Sequence, residues 1–137
     1  MVPAVCGWHE HHGAAAAEIE RRLAQAEPMH IAGAALVEAY AVLTRLPPPY
    51  RLAPADALAL LEGSFITPGR TVTLGSRAYE RLLRAAPAGG IAGGRVYDGV
   101  IAACARAAGA STLLTFNQRH FAPFAGSGLA VVVPSSG

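Results

Sequence analysis

Hydrophobic and polar positions in this chain fall into alternating helix-like and strand-like blocks. Residues 14–25 combine Ala, Glu, Arg and Leu, all good helix formers, and Pro28 lies beyond their end. Residues 29–31, Met-His-Ile, form a short apolar run that reads as a strand. After Gly33, a second helix carries Ala34-Ala35-Leu36-Val37-Glu38-Ala39-Tyr40-Ala41-Val42-Leu43. It stops at Pro47-Pro48-Pro49, which lack the backbone donors to continue it. Residues 54–65 predict a helix with Pro54 in its first turn and leucines at 58, 60 and 61. Residues 71–74 are β-like, and 76–86 are helical again. Glycines 89, 90, 93 and 94 make residues 88–94 a flexible loop. A largely apolar helix follows over 96–108, with Gly109 placed to cap it. Residues 111–116 and 129–133 read as buried strands.

Helices alternating with short apolar strands predict an α/β fold, a short parallel sheet sandwiched between helices. In such sheets, ligands gather at the carboxyl ends of strands and at the starts of the helices that follow. Three places meet that rule, and each holds an oxygen-bearing side chain. Glu38 has Ala34, Ala35, Ala41 and Val42 as its neighbours at helical spacing, so the pattern predicts a buried acid. A buried carboxylate costs several kcal/mol unless it is paired, neutralised or metal-bound. Two readings stand: a helix edge or a distant arginine that satisfies the acid, and a functional carboxylate.

Asp98 lies near the start of the 96–108 helix, in Arg95-Val96-Tyr97-Asp98-Gly99-Val100-Ile101. The plain reading is an N-cap that complements the helix dipole. Scarcity argues for more. The chain has one other aspartate, Asp56, in a plausible first turn after Pro54. Asn117 ends a strand in Leu113-Leu114-Thr115-Phe116-Asn117-Gln118-Arg119-His120-Phe121, as a turn residue or as an oxygen ligand.

Composition narrows the classes. At 137 residues, 53% hydrophobic and 15% charged, the chain predicts a folded domain rather than a disordered one. No apolar run approaches the roughly 20 residues of a membrane span, and no leader pattern opens the chain. Cys6 and Cys104 are isolated and read as packing thiols of a reducing compartment. All eleven basic residues are arginine, and the net charge of +2 permits a nucleic-acid partner without requiring one. His9-Glu10-His11-His12, near Cys6, lacks the second cluster that a structural zinc site needs, and reads as a polar loop opening the first helix. The glycine-rich loop follows no strand and lacks a Gly-Lys-Ser/Thr ending, so it does not predict a phosphate cradle. Phe65, Tyr79 and Phe121 read as core or rim aromatics.

The segments around Glu38, Asp98 and Asn117, taken in order, resemble the PIN domain, and specifically the VapC ribonuclease toxins of bacterial toxin–antitoxin pairs. The similarity runs through nearly the whole chain. It implies an acidic pocket that binds Mg²⁺ or Mn²⁺ and hydrolyses phosphodiester bonds in RNA. By resemblance, Glu38 and Asp98 take the second and third acidic positions, with Asp98 and Glu38 as metal ligands, and Asn117 takes the fourth. Arg95 and Arg119, flanking the pocket, and Thr115 are assigned to the substrate. The resemblance further implies a cytoplasmic protein with a cognate small antitoxin and a homodimeric state. The leucine-rich 54–65 helix offers an apolar face for that partner, although its leucines also suit a core. The departure is at the front. The family opens with a strand ending in Asp followed by Thr or Ser, whereas Met1-Val2-Pro3-Ala4-Val5-Cys6-Gly7-Trp8-His9 resembles the stretch just after that aspartate. The expectation is a single PIN-like domain over residues 1–137 lacking the first strand and its aspartate, with the recorded start downstream of the true one. The alternative is an inactive remnant that binds antitoxin or dimerises.

Overall fold

The computed structural model describes residues 1–126 and 128–135. Its elements are α1 (Val2–Val5), α2 (His12–Ala24), β1 (His30–Ala32), α3 (Gly33–Arg45), α4 (Pro54–Leu61), a π-helical turn (Glu62–Ile66), β2 (Arg70–Val72), α5 (Ser76–Ala85), α6 (Arg95–Ala107), β3 (Thr112–Leu114), α7 (Gln118–Phe121), a 3₁₀ turn (Ala122–Phe124) and β4 (Ala130–Val132). The α/β class read from the pattern is the class observed. The chain divides into two compact units, Met1–Thr71 with Pro134 and Ser135, and Val72–Val133.

In the first unit, α3 packs against α1 and α4. Cys6, Ile31, Ala39, Leu43, Ala57, Leu61 and Phe65 form the buried core, with Leu43 wholly enclosed. After the three prolines, the chain returns to α3 where Leu52 N–H donates to the Leu43 carbonyl at 3.1 Å. β1 and β2 pair as a two-stranded sheet. Their approach depends on Gly69. A Cβ there would lie 2.6 Å from the Phe65 carbonyl oxygen and 3.2 Å from that of Met29. With no Cβ in the way, Arg70 N–H reaches the Met29 carbonyl at 2.8 Å. The helix expected over 54–65 is α-helical to Leu61 and then widens, with Thr67 N–H bonding back to the Glu62 carbonyl at 2.9 Å.

In the second unit, β3 and β4 are parallel, with Leu113 opposite Val131. Ala102 of α6, Leu113, Phe121 and Leu129 close its core. Gly109 terminates α6 as expected. At φ +70° it lets its own N–H bond to Arg106 O and that of Ala110 bond to Ala105 O, both at 3.0 Å. Both thiols are free and buried, and burial pushes each above the ordinary thiol pKa. Phe65 and Phe121 are core residues, whereas Tyr79 is exposed. The hydrophobic pattern does not predict the short helices α1 and α7. Four residues span barely one turn and leave no period to read.

Candidate active site

Asp98 occupies the first turn of α6, but it is not the cap. Gly94 holds that position and no side chain caps the helix. The Asp98 carboxylate instead faces α7, which packs on α6, with Oδ2 3.7 Å from Nδ1 of His120. Its side chain retains 22% of its exposure, so it is open to solvent and to a ligand. The turn from β3 to α7 produces this geometry. Thr115 N–H donates to the Val132 carbonyl at 3.0 Å, extending the parallel ladder by one residue. The chain then turns as Asn117 N–H donates to Thr115 Oγ1 at 3.0 Å. Asn117 is the N-cap residue of α7, and its carbonyl accepts from His120 N–H at 2.9 Å. One backbone turn thus links the strand end, Asn117 and the histidine opposite Asp98. Sequence reasoning misses His120. Its only signal there is its spacing, one helical turn beyond Asn117.

Thr115 is half-buried, its hydroxyl engaged in that turn, whereas Asn117, Arg95 and Arg119 are exposed. Glu38 lies in the first unit, in the middle of α3, and corrects one expectation. It is exposed, not buried. Val37 and Tyr40 beside it face outward as well, 72% and 38% exposed, so the carboxylate reaches water on an apolar but uncovered face.

The histidine-rich loop behaves as the sequence suggests. His9 Nδ1 accepts from His11 N–H at 3.1 Å, and the His12 ring nitrogen lies 2.9 Å from the Pro3 carbonyl, tying α2 to α1. Among the described residues, no three His, Cys, Asp or Glu side chains converge as a metal cage. The donors expected at the site are carboxylate and amide oxygens. That hard set suits Mg²⁺ or Mn²⁺, which bind through one or two carboxylates and retain waters, better than zinc.

Comparison with known proteins decides the family. The PIN domain profile matches residues 2–126. The chain belongs to the PIN-domain family. Ribonuclease VapC40 of Mycobacterium tuberculosis is 36% identical over 113 residues, which cover 82% of this chain and 78% of the relative. Ribonuclease VapC27 of the same organism is 40% identical over 104 residues, covering 76% of this chain and 70% of the relative. The PIN match extends into both compact units and includes every candidate site residue. Resemblance and comparison therefore agree on the VapC-type family.

Proposed function

We infer that this PIN chain is a metal-dependent endoribonuclease of the VapC type, the toxin of a toxin–antitoxin pair. The observation that carries this reading is its similarity, over about four fifths of its length, to a protein named a ribonuclease. Asp98 is the proposed principal metal ligand, because it is a partly exposed carboxylate on a helical turn. Glu38 is the proposed second carboxylate, and Asn117 the proposed amide oxygen donor. A divalent ion bound at Asp98 would polarise a water and offset charge on the phosphate. The chain's own groups have separate tasks. His120 lies 3.7 Å from the Asp98 carboxylate on the α7 side. The Thr115 hydroxyl fixes the turn that presents Asn117. Arg95 and Arg119 attract the phosphate backbone. Mg²⁺ and Mn²⁺ are the proposed ions. Titrating Mn²⁺ into the metal-free protein should start cleavage of single-stranded RNA, and EDTA should stop it. Cleavage indifferent to EDTA would rule out the metal.

The proposed protein partner is a small antitoxin. Leu36, Val37, Tyr40, Leu58, Leu61 and Ile66 line an open apolar groove between α3 and the end of α4, and Leu58 is 47% exposed. An amphipathic helix fits such a groove by placing alternate turns of apolar side chains into it. The outward leucine supports the sequence-based expectation of an apolar face on the 54–65 helix. No helix among the described residues is long and apolar enough to cross a membrane, and we propose a cytoplasmic homodimer. Sedimentation of the isolated chain should give twice the monomer mass, and a monomer at micromolar concentration would contradict it.

A further inference from the structure

Helix α6 buries Val100 and Cys104 on one side, where Cys104 Sγ lies 3.9 Å from the Val72 carbonyl oxygen at the end of β2. Tyr97 stands three positions before Val100 and seven before Cys104. At 3.6 residues per turn the three fall within about 60° of arc, so Tyr97 continues the same stripe by one turn. At that turn the cover ends. Tyr97 is 65% exposed, more than any other Tyr, Trp or Phe among the described residues. Among those residues its side chain has no hydrogen-bond or ring partner. Other exposed rings have company: Trp8 and Tyr50 stack with centroids 4.4 Å apart, and Tyr40 lines the apolar groove. Tyr79 is exposed as well, and position separates the two, because Tyr97 adjoins Asp98.

We propose that Tyr97 is a stacking platform for the nucleobase beside the phosphate held at Asp98, and so a substrate-binding residue of this site. The proposal rests on the ribonuclease reading and adds how the RNA is seated.

The side chains of Tyr97 and Asp98 leave α6 about 100° apart, with Cβ atoms about 5 Å from each other. Arg95 leaves on the opposite flank, about 60° beyond Asp98. The carboxylate therefore lies between a bare ring and an exposed guanidinium, all on the first turn of one helix. Long side chains on a helix lean toward its N-terminus, which carries the ring past the last covered turn. A nucleotide matches this set. Its flat base covers the ring, its phosphate meets the ion at Asp98, and the next phosphate meets Arg95. Stacking also suits an enzyme that must hold an unpaired strand, because every base has a face to offer. An apolar side chain of a protein partner would cover the ring too. The charges of both signs beside it favour a nucleotide.

The test uses short labelled single-stranded RNAs, one natural and a set each carrying a single abasic nucleotide. Their binding to the full chain is followed by fluorescence anisotropy in EDTA at low salt, and their KM for cleavage in Mn²⁺. The unaltered protein is compared with Tyr97→Phe, which keeps a ring, and Tyr97→Leu, which keeps apolar bulk without one. An abasic site at one position should weaken binding to the unaltered protein about tenfold and raise KM to match. Tyr97→Leu should lose as much on the natural strand and be indifferent to the abasic site at that position. Tyr97→Phe should behave as the unaltered protein. If Tyr97→Leu changes neither quantity, or loses equally on natural and abasic strands, the platform is overturned. With RNA still cleaved by the unaltered chain, the ribonuclease reading then stands. Weakened binding of the antitoxin with RNA affinity and KM unchanged overturns it in favour of a protein surface. An unaltered chain that neither binds nor cleaves RNA overturns both.

Discussion

Glu38 and Asp98 are both carboxylates on helices, yet their surroundings give them different sensitivities. Glu38 is exposed on α3, so Glu38→Gln should shift stability by no more than about 0.5 kcal/mol, as surface substitutions do. It should still weaken Mn²⁺ binding. Thermal melts with and without Mn²⁺ check both, and a metal-free loss of about 3–5 kcal/mol would mean a buried, paired acid instead. Glu38 stands out in the sequence for a reason that does not hold. Its apolar neighbours imply burial, but Val37 and Tyr40 face water and line the groove proposed for the antitoxin. Apolar patterning predicts a covered face only when something in the same chain covers it. Asp98 shows the reverse case. Its place near a helix start is legible, but its orientation toward His120 is not, because a contact between α6 and α7 leaves no trace in local pattern.

Among the elements, α2 carries the clearest pH dependence. Hydrogen bonds from Arg21 and then Arg22 hold the Glu18 carboxyl below its ordinary pKa of 4.5. A depressed folded-state pKa means the unfolded chain takes up the proton first. The contribution is therefore present above pH 4.5 and lost as pH falls through the lowered value. Urea midpoints followed from near-neutral pH down into the acid range should fall less steeply in Glu18→Gln than in the unaltered protein, and identical profiles would contradict the pairing. Two glycines separate close approach from mere propensity. Gly69→Ala places a methyl against two backbone carbonyls and should cost about 1–3 kcal/mol. Gly99→Ala meets only ordinary contacts near 3.6–3.7 Å and should gain up to about 1 kcal/mol from helix propensity. Denaturant melts of the pair distinguish these signs. The long helices, the proline stop after α3 and the Gly109 cap are legible because each rests on local chemistry. The widened turn after α4 and the one-turn helices are not, since tertiary packing decides them.

At the scale of the whole molecule, the family is readable because three motifs keep their order, and the PIN match over residues 2–126 agrees with it. The partner prediction belongs here. Co-expression with a cognate small antitoxin should give a stable complex, and Leu58→Glu, which puts a charge into the exposed groove, should weaken it by about tenfold or more in a pull-down titration. Full retention of the complex in Leu58→Glu would move the antitoxin off this groove. The most direct measurement is cleavage of labelled single-stranded RNA in Mn²⁺ by the unaltered chain and by Asp98→Ala, each with and without EDTA. The expected result is cleavage by the unaltered chain that drops about a thousandfold on losing either the metal or the carboxylate. Cleavage that survives both Asp98→Ala and EDTA would contradict metal-dependent catalysis at Asp98.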